Sequence, residues 1–177
     1  MSDDTIHDYG QLTEPTTLTI SRLLPGSIQR VWDHLTQSDL RRRWLAAGEM
    51  PLAVGAPFTL TWRNDELTEP PGQRPAGFGA EHSMDSRITA LDPPRRLAFS
   101  WGEAGEVTID LREQADGVLL TVVHRRIDER SSRLMIGAGW HRHLDILADR
   151  LAGTTPAETF WDGWLRLRQD YDRRLPG

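Results

Sequence analysis

The chain has 177 residues, no cysteine and a formal net charge of −5, from 21 basic and 26 acidic side chains. This length fits one domain, and the lack of cysteine excludes disulfides, thiolate nucleophiles, zinc ribbons and iron–sulfur clusters. The acidic balance disfavours a nucleic-acid partner, because nucleic-acid-binding proteins usually carry a basic face.

The first residues, MSDDTIHDYGQL, lack the basic start and the apolar run of a secretory signal. No apolar stretch reaches the length of a membrane span. We therefore expect a cytoplasmic protein with no membrane insertion, and we assign residues 1–15 to a flexible N-terminal segment.

The first predicted elements are a strand and two short helices. Residues 16–24 alternate between apolar and polar side chains, as a strand does. In SIQRVWDHLT, residues 27–36, the apolar side chains recur at the three-four spacing of an amphipathic helix. LRRRWL, residues 40–45, follows as a second short helix that Ser38 and Asp39 can cap. We interpret its three arginines, residues 41–43, as an exposed helical face.

A second strand, PFTLTWR, places Phe58, Leu60 and Trp62 on one face. Residues 64–80 then contain many prolines and glycines and show no periodicity. They are interpreted either as a long loop that borders a functional site or as a disordered surface insertion.

Four further strands follow, within AEHSMDSRITAL, RRLAFSW, EVTIDLRE and VLLTVVHRRI. Asp116 and Gly117, between the last two, are a strong hairpin signal. Consecutive strands with short turns predict an antiparallel sheet.

Two amphipathic helices end the chain. The first begins near Arg133, carries an apolar stripe at spacings of three and four, and ends at Gly153. The second opens at Pro156 and aligns apolar side chains for packing on the domain. The apolar members of the two stripes are Ile136, Trp140, Leu144, Leu147 and Leu151, and Phe160, Trp164, Leu167 and Tyr171.

The stretch GWHRHLDILADRL contains two histidines two residues apart. On a helix His141 and His143 point about 200° apart, so they cannot chelate one ion, and we expect no metal site. His143 lies nearer the buried stripe, whereas Arg142 and Asp149 are expected to face solvent. A hydrogen-bonded histidine at the edge of the core and a ligand contact both remain open for His143.

Seven tryptophans are many for this length, and Trp62, Trp101 and Trp140 all fall on inward faces. Each buries a large area and carries an N–H that needs a partner. The pattern fits a plain core or a cavity lined by rings, and the spacing alone does not decide between them.

Four segments in order carry a resemblance: SRLLPGSIQRVWDHLTQSDLRRRW, LDPPRRLAFSW, TVVH and GWHRHLDILADRL. Together they resemble the START-like (SRPBCC) helix-grip superfamily, and within it the homologues of the activator of the heat-shock protein 90 ATPase. The resemblance covers residues 16–153. It implies an α+β domain in which a curved antiparallel sheet wraps around a long C-terminal helix, with two short helices after the first strand. Residues 154–177 would form an additional C-terminal helix packed on this domain.

The resemblance also implies a deep, mostly apolar cavity between sheet and helix. Carried over by position, the side chains that would line or border it are Trp44, Phe58, Trp62, Phe99, Trp101, Trp140, His143, Leu144 and Leu147. His124, in TVVH, matches a histidine common in the group, where a structural and a functional role are equally plausible.

Fold alone does not assign a reaction. The leading hypothesis is a binding protein for a small hydrophobic, ring-containing ligand, with His143 or Arg63 orienting a polar group and with no cofactor. The first alternative is a polyketide cyclase or dehydratase that uses His143 or His82 as general acid or base.

A second alternative is a protein-interaction module, in which Trp161, Trp164 and Tyr171 form an exposed patch for a homodimer or another partner. A chaperone contact has weak support, because no additional chaperone-binding domain is recognisable.

Overall fold

In the computed structural model, which describes residues 8–177, a curved seven-stranded antiparallel sheet wraps around a long helix near the C-terminus. Residues 1–7, the start of the segment predicted to be flexible, lie outside the described residues. The strands are β1 (Gln11–Glu14), β2 (Thr17–Leu24), β3 (Pro57–Trp62), β4 (His82–Asp92), β5 (Arg96–Trp101), β6 (Gly105–Gln114) and β7 (Gly117–Arg125). The helices are α1 (Ile28–Thr36), α2 (Ser38–Arg41), α3 (Arg130–Ala152) and α4 (Phe160–Arg174). This is the α+β helix-grip architecture that the resemblance implied.

The strand order is β1-β2-β7-β6-β5-β4-β3, with every neighbouring pair antiparallel. The first long strand therefore pairs with the last, and Leu18 lies opposite His124. β6 and β7 form the hairpin predicted from Asp116 and Gly117, and Gly117 adopts a φ of 143° that an L side chain rarely tolerates.

Three predicted boundaries need correction. Residues 11–14, assigned to the flexible segment, form strand β1, because their backbone pairs with the free edge of β2. The last helix begins at Phe160 and not at Pro156, since the side chain of Thr159 caps it by accepting from the N–H of Asp162. Ser38 and Asp39 lie inside α2 instead of capping it.

The expectation that all three arginines of residues 41–43 are exposed is wrong for Arg41. Its side chain is only 2% exposed, while Arg42 and Arg43 face solvent. The guanidinium of Arg41 donates to three backbone carbonyls, those of Leu35, Ala46 and Gly48. These bonds fold the chain after α2 around the buried cation.

The helix α3 is covered on two sides. One side packs its predicted apolar stripe against the inner face of the sheet, and the other side packs against α4. Arg142 was expected to face solvent, but it is 3% exposed because α4 covers it. Its guanidinium donates to the carbonyls of Glu158, Thr159 and Phe160, which fixes the start of α4.

The aromatic side chains of α4 face inward. Trp161, Trp164 and Tyr171 are all buried, so the exposed patch expected for a partner is not formed. No helix within residues 8–177 combines the length and the apolarity that a bilayer span requires.

Candidate functional site

A cavity of about 460 Å³ lies between one end of the sheet, the helix α3, the loop after β3 and the start of α4. Most of the side chains on its wall are apolar, and seven of them are Phe or Trp. The wall consists of Leu45, Trp62, Asn64, Gly77, Phe78, Gly79, Ala80, Glu81, His82, Met84, Trp101, Met135, Ile136, Gly139, Trp140, His143, Phe160, Trp161 and Trp164.

The structure divides the nine residues expected at the cavity into two groups. Trp62, Trp101, Trp140 and His143 lie on its wall. The other five are buried in the core between sheet and helix: Trp44, Phe58, Phe99, Leu144 and Leu147. Among these, the rings of Phe58 and Phe99 pack edge to face with centroids 5.8 Å apart.

Four aromatic wall residues were not expected there. Phe78 comes from the loop of residues 64–80, and Phe160, Trp161 and Trp164 come from the start of α4. The ring of Phe78 lies 5.4 Å from that of Trp161 and 5.2 Å from that of Trp164. The sequence signals are an aromatic residue between two glycines and the cluster FWDGW, which is interpreted from its sequence as packing or as an interaction patch.

The opposite wall is a row of three indole rings. Trp101 lies between Trp62 and Trp140, at centroid distances of 5.5 Å and 5.9 Å. The indole N–H of Trp140 donates to Nδ1 of His124 at 3.0 Å. Burial lowers the pKa of His124 to about 4, so this ring is neutral and accepts the bond. His124 thus orients Trp140 and does not itself line the cavity.

His143 is the most buried polar side chain of the wall. Its Nδ1 lies 2.8 Å from the backbone carbonyl oxygen of Trp44. A carbonyl only accepts, so Nδ1 carries the hydrogen and Nε2 carries the lone pair. Burial lowers the pKa of His143 to about 4, with nearby Arg142 acting in the same direction, and the ring is neutral at pH 7.

Polar groups elsewhere on the wall are few. Near the mouth, the exposed His82 lies beside Trp62, and Glu81 pairs with Arg63 at 2.8 Å. Asn64 also lies on the wall, and its Oδ1 is buried without a hydrogen-bond partner in the described part of the chain. Arg63, predicted to orient a ligand, is not part of the wall and is occupied by Glu81.

His141 lies on another side of α3 from His143. The backbone N–H of Gly10 donates to the hydroxyl of Tyr171 at 2.6 Å, and that hydroxyl forms a hydrogen bond with Nδ1 of His141 at 3.0 Å. These bonds tie β1, α3 and α4 together. Across residues 8–177, no group of three His, Asp or Glu side chains is arranged to hold a metal ion.

Solved structures of similar proteins share this fold. The solution structure of a Bordetella parapertussis protein is 35% identical, with a TM-score of 0.78, over 96% of this chain and 91% of that one. CalU16 from Micromonospora echinospora is 24% identical, with a TM-score of 0.64, over 89% of this chain and 86% of that one. DynU16, a protein of the dynemicin biosynthetic locus, is 19% identical, with a TM-score of 0.66, over 83% of this chain and 51% of that one. The last two likenesses are evidence of the fold alone.

Among curated proteins, none is similar enough to count as a match. The family model described as "Activator of Hsp90 ATPase homolog 1-like protein" matches residues 25–152, from the turn before α1 to the end of α3. This range is well over half of the chain and includes the whole of the helix that the sheet grips. The chain therefore belongs to the Activator of Hsp90 ATPase homolog 1-like family, within the START-like superfamily.

Proposed function

We propose that the protein binds a small hydrophobic molecule containing one or more rings in the cavity between sheet, α3 and α4. The observation that carries this proposal is the wall of seven Phe and Trp side chains around about 460 Å³. Small-molecule sites in proteins typically enclose roughly 300–1,000 Å³ and combine apolar walls with a few polar groups. Trp62, Trp101 and Trp140 would stack on the ligand from one side, and α4 would enclose it from the other.

Gly139 provides the test, because it lies in the middle of α3 on the cavity wall. A Cβ atom at this position would meet no atom within 4 Å beyond its chain neighbours and the backbone of its own helix. Gly139→Phe therefore extends a ring into the cavity, whereas Gly139→Ala leaves the space open. The alanine variant should also be more stable by up to about 1 kcal/mol, since glycine is unfavourable inside a helix.

The experiment is thermal unfolding of the wild type and both variants against ring compounds, sterols and fatty acids. A ligand at about one hundred times its dissociation constant should raise the wild-type Tm on the order of 5 to 10 °C. We expect a similar rise for Gly139→Ala and almost none for Gly139→Phe. An equal rise in Gly139→Phe would place the binding site elsewhere, and no rise with any compound would contradict the proposal.

A cyclase or dehydratase activity is the second candidate, because His143 and His82 both line the cavity. His143 would be a weak general base, since a catalytic pKa near the working pH is most effective and its own pKa is about 4. Product formed from an aromatic polyketide by the wild type, and lost in His143→Ala and His82→Ala, would favour this candidate. Tight binding without turnover would favour the first.

A further inference from the structure

We infer that the ligand of this cavity is an uncharged ring compound bearing a hydroxyl group, which donates a hydrogen bond to Nε2 of His143. The inference rests on the proposed function and names the chemical class that the wall would select. It follows from three properties of the wall: an accessible unpaired acceptor on His143, three unpaired indole donors and, among its described residues, the absence of arginine side chains.

The acceptor is fixed by the bond on the other side of the imidazole ring. The carbonyl of Trp44 holds the hydrogen of Nδ1, which leaves a lone pair on Nε2. Within residues 8–177 this Nε2 has no hydrogen-bond partner. It is also not fully buried, so a ligand in the cavity can reach it. A ligand without a donor group would cover this atom and leave it unpaired, which is unfavourable.

The donors are indole N–H groups. Those of Trp44, Trp140 and Trp161 donate to His34, His124 and Asp65 respectively. In contrast, Trp62, Trp101 and Trp164, all on the cavity wall, donate to no acceptor of residues 8–177. A hydroxyl oxygen accepts as well as donates, so one hydroxylated ring system can pair with both kinds of group.

The charge on the wall excludes an anionic ligand. Among the wall residues that the structure describes, Glu81 is the one acidic side chain, and there is no arginine. A ligand carboxylate would have no arginine to pair with after it leaves water, and an unpaired buried charge is costly. The wall therefore favours a phenol over an aromatic or fatty acid.

Three probes of one ring system test the inference at pH 7: 2-naphthol, 2-methoxynaphthalene and 2-naphthoate. We expect 2-naphthol to bind at least about tenfold more tightly than the methyl ether, since loss of a buried hydrogen bond typically costs about 1.4 kcal/mol or more. The naphthoate should bind most weakly. Titration calorimetry or quenching of tryptophan fluorescence measures the three dissociation constants.

Variants locate the selecting atom. His143→Phe should reduce the preference for 2-naphthol over its methyl ether to within about twofold. Leu165→Ala, an exposed position that is not part of the wall, should leave the preference unchanged. If His143→Phe does not fold, His143→Leu serves instead, and the wild-type ranking alone still decides the inference. Equal binding of the naphthol and the ether, or tightest binding of the naphthoate, would overturn the inference while leaving the proposed function intact. Failure of all three probes and of the wider panel would overturn both.

Discussion

One residue outside the cavity, Arg41, determines how the polar side chain of His143 is held on the cavity wall. Arg41 is a buried cation with three backbone carbonyls as its acceptors. Burial lowers its pKa to about 10, so the guanidinium remains charged at neutral pH. The planar guanidinium can reach carbonyls in several directions at once. By folding the chain after α2, Arg41 places the carbonyl of Trp44 against His143.

Replacing Arg41 tests this role. Arg41→Met keeps the length of the side chain but leaves three carbonyls without their donor, and each unpaired buried acceptor is unfavourable. We expect a loss of about 3 kcal/mol in the free energy of unfolding, measured by urea denaturation. Arg43→Met is the matched control, because Arg43 is exposed, and its effect should stay within about 0.5 kcal/mol. Equal effects of the two substitutions would show that Arg41 does not organise this segment.

At the scale of elements, α4 is a wall of the cavity and not an accessory to the domain. Its first five residues supply Phe160, Trp161 and Trp164 to the wall, and Arg142 of α3 holds the segment before them. The indole N–H of Trp161 donates to Asp65 at 2.7 Å, which connects α4 to the loop after β3. Loop and helix therefore enclose the cavity as one unit.

Two leucines on α4 test whether this helix packs on its own domain. Leu167 is fully buried, whereas Leu165 is 38% exposed. We expect Leu167→Ala to lower the free energy of unfolding by about 2–5 kcal/mol, because it leaves a void between α4 and α3. Leu165→Ala should cost less than about 1 kcal/mol. Urea denaturation measures both, and a small effect of Leu167→Ala would show that the helix detaches readily in solution.

The sequence predicts the elements better than it predicts the site. Alternation and three-four spacing are local properties, so all strands from β2 onward and the stripe of α3 follow from them. β1 has only four residues, and its pairing with β2 is not visible as a periodic pattern. The burial of Arg41 and Arg142 depends on carbonyls supplied by other segments, which no local pattern contains.

The sequence pattern indicates the inward aromatic residues of one side of the cavity, while the cavity itself is implied only by the family resemblance. Trp62, Trp101 and Trp140 belong to periodic elements and follow from inward alternation. Phe78 and the aromatic residues of α4 reach the cavity only because the loop and the last helix fold back over α3. Their apolar character fits packing as well as it fits a ligand site, so the spacing alone could not distinguish the two roles.

At the scale of the whole molecule, three histidines are held neutral inside the fold. Burial is the main cause in each case, lowering the pKa of His124 and His143 to about 4 and that of His141 to about 3. For His141, Arg22 and other nearby arginines add to the effect. Each ring is a hydrogen-bond acceptor or donor in its neutral form, and together they connect sheet, α3 and α4.

This arrangement predicts that the fold loses stability as the pH falls below about 6.5. Each histidine has a native pKa below its unfolded value of about 6.5, so the unfolded chain binds protons that the native protein excludes. The free energy of unfolding therefore rises with pH from about 4 to 6.5 for His124 and His143, and from about 3 to 6.5 for His141, and levels off above this window. Between pH 7 and 5.5 the three histidines together should remove roughly 4 kcal/mol. Urea denaturation across this range measures the slope, and His143→Gln should reduce it by about one third. A free energy of unfolding that stays constant between pH 7 and 5.5 would mean that the native and unfolded chains bind the same number of protons. The three rings would then not be held neutral in the native protein.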